Sequence, residues 1–285
     1  MSSGVARDLR TRRFWRTFVT QAFAAVGLMA VVIELYDIFQ PDRLSKSDWP
    51  VPLFVIAIAL AYAAYRSWPR PVEQQYSRPN TKIRIVVGDL FEQDANLVIG
   101  MATTFDTAVP HVISKTSVQA QLLERVYSSD IVALDADLDQ ALSGVATTGS
   151  IQKDGKCETY PLGTIAVIQH NRRHYFCAAY TEMNDRNEAQ GTVAGVWRCL
   201  ENLWDEVRVR SNGDPVAMPV IGGGQARMSQ VLPAQDSIRL IIMSFLLASR
   251  DRRVCDRLDI VVREQDVRTL DMLELQAFLT SLQES

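Results

Sequence analysis

An excess of basic residues is missing from this sequence. It holds 30 Lys+Arg against 33 Asp+Glu in 285 residues, a net charge of −3. No whole-chain signature for nucleic acid follows, because phosphate backbones are bound through clustered Lys and Arg. Cysteine is scarce: Cys157, Cys177, Cys199 and Cys255 are its 4 thiols, and they show no CxxC spacing. That excludes a disulfide scaffold and a zinc ribbon, and it fits reduced thiols. With 14 Gly and 11 Pro, collagen-like and wholly disordered chains are excluded as well. The 3 His, at positions 111, 170 and 174, lie outside any HExxH or paired-carboxylate setting, so no metal is expected. Asp135, Asp137 and Asp139 alternate like a metal loop, but without the glycine and closing glutamate of an EF-hand, and they read as a solvated helix start. No GxSxG elbow is present, and no catalytic residue is assigned.

Long apolar runs, by contrast, are present. Thr17–Ile33 and Trp49–Tyr65 each carry 17 residues without a charge, and a membrane span needs about 17–25 mostly apolar residues. Aromatic residues flank both runs, as interfacial anchors would. Basic residues before the first run would also suit a signal peptide, but a second run follows within a short loop. The expectation is therefore a transmembrane hairpin within 1–68, with spans at about 14–39 and 49–68. Residues 1–16 carry a net of +4 and residues 66–82 a net of +3, whereas the loop 34–48 has two basic against four acidic residues. By the positive-inside rule both termini then lie in the cytoplasm and the chain sits in a bacterial inner membrane. Residues 69–81, with Pro69, Pro71 and Pro79, read as a stiff linker. Residues 83–285 hold 19 Lys+Arg and 27 Asp+Glu, which makes 82–285 an acidic cytosolic domain without nucleic-acid character.

Strand and helix signals alternate along that domain. Apolar β-branched runs at 82–88 and 96–102 predict strands, and 163–169 with 175–181 predict a hairpin turning at 171–173. Helices are expected over 117–127, 135–143, 189–207, 233–249 and 267–282, with strands at 215–221 and 258–262 between them. The order implies a mixed-sheet α/β domain. Loop 144–160 is polar, either a lid or a plain connection.

Three stretches carry chemistry. Gly222-Gly223-Gly224 follows an apolar strand and precedes a helix. Backbone N–H groups can approach a phosphate there, although a tight turn explains the glycines too. The run is neither a Walker loop nor GxGxxG, and Arg227 offers charge to a diphosphate. Asp89, in Gly88-Asp89-Leu90 at a strand end, can accept a hydrogen bond from an exocyclic amine or simply cap a turn. Thr103-Thr104-Phe105-Asp106-Thr107 reads as a sugar–phosphate lip or as a turn with a buried Phe.

Taken in order, the Gly-Asp pair, the polar loop and PVIGGGQAR (219–227) resemble the macro domain. The resemblance implies an α/β/α sandwich that binds ADP-ribose derivatives at the strand ends. Asp89 would then read the adenine with Leu90 beside it. Thr103, Thr104, Phe105, Asp106 and Thr107 would flank the diphosphate and distal ribose together with Ile221, Gly222, Gly223, Gly224, Gln225, Ala226 and Arg227. The asparagine pair that supports hydrolysis in that family is absent from GMATTFDTAVPHVIS (100–114). Binding without turnover is thus expected, the alternative being a membrane-tethered ADP-ribose or ADP-ribosyl hydrolase. More narrowly, GDLFEQDANLVIGMATTFDT (88–107), YPLGT (160–164) and MPVIGGGQAR (218–227), behind two apolar segments, resemble the ThsA effectors of type II Thoeris antiphage systems. That resemblance implies a TIR-domain partner that consumes NAD to make a signal such as histidine-ADP-ribose. It also implies no further cofactor, a homo-oligomer, and disruption of a lipid bilayer in abortive infection.

Overall fold

The computed structural model describes residues 12–39, 50–67, 72–222, 228 and 230–283. The chain divides into two compact units, 1–70 and 71–285. In the first, helix α1 (Arg12–Phe39) and helix α2 (Pro50–Ser67) pack against one another. Ala59 and Ala63, one turn apart on α2, are buried, which allows close helix packing, whereas Phe23, Leu28 and Val32 of α1 are exposed. Among the described residues no helix is long and apolar enough to cross a membrane. That finding corrects the transmembrane hairpin expected within 1–68, and the inner-membrane placement that rested on it. The reason is length: a 17-residue run sits at the floor of what a bilayer requires. The 28 residues of α1 are reached by taking in Arg12, Arg13 and Arg16 at one end and Glu34 and Asp37 at the other. The 18 residues of α2 include Pro50, Pro52 and Arg66.

The second unit is built on a mixed sheet. Its strands are β1 (Val72–Tyr76), β2 (Thr81–Val87), β3 (Asn96–Ala102), β6 (Ile165–His170), β7 (Arg173–Met183), β8 (Ala189–Gly191), β9 (Val216–Pro219) and β10 (Arg257–Val262). Strands β4 (Gly149–Ser150) and β5 (Glu158–Thr159) form a separate small ribbon. The sheet runs β1-β2-β10-β9-β3-β7-β6, with β8 on β7. Pairing is parallel from β2 through β10, β9 and β3 to β7, and antiparallel at both edges. Strands covered on both faces must be apolar throughout, and NLVIGMA of β3 and RLDIVV of β10 are buried along nearly their whole lengths. Asp259, buried within β10, is met by Arg84 from β2 at 3.2 Å and by Arg257 at 3.0 Å, which compensates its charge.

Helices α3 (Val118–Arg125) and α4 (Ile131–Leu142) pack with Leu97, Ile99, Tyr175 and Cys177 in one core cluster. Helices α5 (Val193–Arg210), α6 (Ala234–Asp251) and α7 (Met272–Ser281) share a second, larger cluster. Each of α3, α4, α5 and α7 starts at a Ser, Asp or Thr whose side chain accepts from a first-turn N–H, the standard use of these residues as N-caps. Trp204 is fully buried in the second cluster, donating to the Ser244 hydroxyl at 3.0 Å and meeting Phe245 edge-on.

Several boundaries differ from the sequence pattern. Val72–Tyr76, inside the stretch read as linker, is a strand, because its buried Val72 and Tyr76 complete an apolar face beside β2. Ala189–Gly191 belongs to a strand rather than to the helix behind it. The last helix begins at Met272, after a short 3₁₀ turn at Val267–Thr269.

Replacing Trp204 by Ala should destabilise the fold by about 3–5 kcal/mol in urea unfolding, the range for emptying a buried Trp site. Cys157 is exposed while Cys177, Cys199 and Cys255 are buried, so a thiol reagent should label one cysteine in the native chain and four after unfolding. Burial pushes the Cys199 and Cys255 thiols up from 9.0 to about 12. Their contribution to stability is full below pH 9 and should be lost as pH rises from there toward 12.

Candidate functional site

Parallel pairing places the carboxyl ends of β2, β10, β9, β3 and β7 along one rim, where ligands of open α/β sheets bind. A cleft of about 1170 Å³ opens there, ample for a dinucleotide-sized molecule. Asp89 and Phe91 border it after β2, Arg263 and Glu264 after β10, Val220 and Ile221 after β9, and Asp106 after β3. Tyr180 of β7 lies across Gly100 of β3, where a side chain on Gly100 would meet the Tyr180 ring at 2.5 Å. This strand glycine therefore marks a close approach. Burial raises the Tyr180 phenol to about 12, which keeps it a neutral hydroxyl in the cleft.

Asp89 sits in a tight turn. Its Oδ1 accepts from the Phe91 N–H at 2.8 Å, and the Gln93 side chain donates to its carbonyl at 2.7 Å. The turn-capping role open in the sequence is thus real, and it occupies one oxygen. The other, Oδ2, faces Arg125 at the end of α3, 2.7 Å away, whose guanidinium lies 5.4 Å over the Phe91 ring. Leu90 is buried beside them.

The 103–107 loop folds inward. Thr103, Thr104, Phe105, Asp106 and Thr107 are all buried, and only Asp106 among them borders the cleft. Phe105 adopts a left-handed φ of 47° and packs edge-on against Tyr160 at 5.6 Å between centroids. Both Asp106 oxygens are engaged. One takes the Thr104 hydroxyl and, at 2.8 Å, the Lys153 ammonium; the other takes the Lys156 N–H at 2.8 Å. The Lys153 side chain is fully buried. Lys156 pairs with Asp135 at 2.8 Å, which in turn accepts from Thr107. Gly155, at φ +85°, lies so close to Asp106 that a Cβ there would stand 2.4 Å from its carboxylate. The polar segment 151–157 is accordingly a strap fastened to the loop, and the lip expected of the threonines is instead a buried turn. The neutralised charge and the Phe packing turn these side chains away from solvent.

Ile221 is buried at the cleft and Gly222 occupies the turn after it. Gly223, Gly224, Gln225, Ala226 and Arg227 lie outside the described residues. Beyond them, Pro233 and Ala234 border the cleft at the start of α6, whose first turn has no side-chain cap. Uncapped N–H groups and the helix dipole favour negative charge there, part of which Asp236 in the first turn supplies.

Residues 83–263 match the family model of Thoeris protein ThsA, Macro domain. The chain belongs to this family. Thoeris protein ThsA of Bacillus amyloliquefaciens (strain Y2) is 23% identical over 205 residues, covering 70% of this chain and 68% of that protein. Two Oceanobacillus iheyensis macrodomain structures share the fold, each with a TM-score of 0.50. One, a mutant with ADPR, is 15% identical and covers 75% of this chain and 100% of its own. The other, with MES bound, is 14% identical and covers 74% and 99%. The mixed-sheet α/β unit of this ThsA-family chain is therefore macro-like, as its motifs implied.

In this ThsA-family domain the structure brings Asp89, Leu90, Asp106 and Ile221 to one cleft. It leaves Thr103, Thr104, Phe105 and Thr107 behind the cleft wall. Lys153, Arg125 and Tyr180 were missed by sequence reasoning. Lys153 and Arg125 lie far in sequence from their partners, and Tyr180 reads as an ordinary strand residue. The glycine in mid-strand at position 100 was the one local signal of a close neighbour. Lys153→Met should leave the Asp106 carboxylate buried without its cation and cost about 3–5 kcal/mol in chemical unfolding. The double variant Lys153→Met/Asp106→Asn should recover a large part of that loss.

Proposed function

We propose that the macro-like unit binds an ADP-ribose-derived signal in the strand-end cleft and that the chain acts as a Thoeris antiphage effector. The observation that carries this reading is the cleft itself, in a ThsA-family macro domain. A carboxylate stands at one side, after β2, and the uncapped amino end of α6 at another, suited to a diphosphate. Asp89 accepts a hydrogen bond from the exocyclic amine of adenine, and the α6 terminus faces the phosphates. The signal is an ADP-ribose derivative such as histidine-ADP-ribose, produced from NAD by a TIR-domain partner. Binding favours self-association, for which the exposed Leu28, Val31 and Val32 on one face of α1 supply an apolar surface.

Binding rather than turnover is the reading we favour. Asp106, the carboxylate at the end of β3, is tied to Lys153, Thr104 and the Lys156 N–H and is poorly placed to activate a water.

Calorimetry of the full chain against ADP-ribose and histidine-ADP-ribose tests the reading. Asp89→Ala should weaken binding by about tenfold or more, in line with about 1.5–3 kcal/mol for a charged hydrogen bond. Equal affinity of the variant would remove the adenine assignment, and absence of binding by the unaltered chain would remove the ligand. Incubation with labelled ligand should release no product. Sedimentation velocity should show a larger species only when ligand is present.

A further inference from the structure

The acceptor at the base end of the cleft does not stand alone. Asp89 Oδ1 is fixed by the Phe91 N–H, and Oδ2 has Arg125 Nη1 at 2.7 Å. A carboxylate oxygen has two lone-pair sites, so Oδ2 retains one for a ligand. The guanidinium carries five N–H donors in a planar fork. Asp89 takes one of them, and the others have no protein partner among the described residues. Arg125 is half-exposed, and its orientation is set by the Phe91 ring beneath it. Gln121, one helical turn earlier on the same face of α3, borders the cleft, as do Asp89 and Phe91. Arg125 itself stands just outside that lining, its half-exposed guanidinium 2.7 Å from Asp89, so acceptor and donor lie side by side at the edge of the cleft.

These two groups match two different bases. A 6-amino purine offers a donor at its six-position, which the Asp89 carboxylate accepts. A 6-oxo purine offers an acceptor there and a donor at N1. A lone carboxylate would repel that oxygen, but Arg125 can donate to it while Asp89 accepts from N1–H. The geometry points to Asp89 and Arg125 as a paired reader that admits both 6-amino and 6-oxo purines. The ligand class of the cleft is then a purine nucleoside diphosphate ribose rather than the adenine compound alone. Arg125 is the residue that sets this breadth. The inference rests on the cleft's assignment to ADP-ribose-type ligands.

The test is calorimetry of the full chain with ADP-ribose and with its hypoxanthine counterpart, read as the ratio of the two dissociation constants. The unaltered chain should bind both within about threefold of one another. Arg125→Ala should raise the ratio by about tenfold or more against the oxo ligand, as expected for loss of a base-reading hydrogen bond. Arg125→Lys, which keeps a donor and the charge, should return most of the oxo affinity. That rescue separates base reading from a structural role, which would weaken both ligands equally. An unaltered chain that prefers the amino base by more than tenfold overturns the inference, as does an Arg125→Ala variant with an unchanged ratio. Both results leave the ligand assignment standing. Failure of the unaltered chain to bind either compound removes both the assignment and the inference.

Discussion

Parallel pairing of β10 between β2 and β9 is the constraint on which the rest of the domain depends. Strands joined through helices and covered on both faces have to be apolar along their length, and they must all point the same way. The buried runs of β3 and β10 satisfy the first requirement. Asp259 departs from it at the cost of two arginine partners. The second requirement collects the carboxyl ends of β2, β10, β9, β3 and β7 on one rim. Asp89, Asp106, Arg263 and Glu264 all follow strand ends on that rim, so the site is a consequence of strand direction before it is a matter of particular residues.

Two carboxylates on the rim show how environment divides labour between similar groups. Asp106 is buried and faces a buried lysine. Removing either partner would strand a charge in a low dielectric, which makes this pair architecture that ties the 151–157 strap to the loop after β3. Asp89 and Arg125 are partly exposed. Such a pair contributes little to stability, about 0–1 kcal/mol, and is left available for a ligand. The bond lengths are nearly equal, 2.7 and 2.8 Å, and solvent access separates the roles.

Much of the domain could be read from local pattern. The strands at 96–102 and 258–262, the helix near 233–249 and the hairpin of 163–169 with 175–181 follow from apolar runs, turn residues and 3.6-residue periodicity. The family was legible in Gly88-Asp89-Leu90, YPLGT and the glycine run. Pattern failed where a segment's state is decided by a distant partner. Val72–Tyr76 is polar enough to pass for linker and becomes a strand because β2 offers it an edge. Thr103–Thr107 has the composition of a ligand loop, yet Phe105 and Lys153 draw it into the interior. Residues 17–33 and 49–65 show the reverse failure. Their uncharged runs had the minimum length of a membrane span, but no described helix is long and apolar enough to cross one.

The sequence by itself determined the mixed-sheet α/β class of the second unit and the position of Asp89 at a strand end, because both follow from short-range pattern, and its motifs carried the family resemblance; the membrane hairpin it also suggested was overturned. Tertiary structure alone decided which polar residues face the cleft. It set Asp106 against Lys153, placed Tyr180 over Gly100 and brought Arg125 to Asp89. These pairs are 47, 80 and 36 residues apart in the chain. No local periodicity records contacts over such distances. They arise only when the parallel strands and the helices packed on them have closed around a common core.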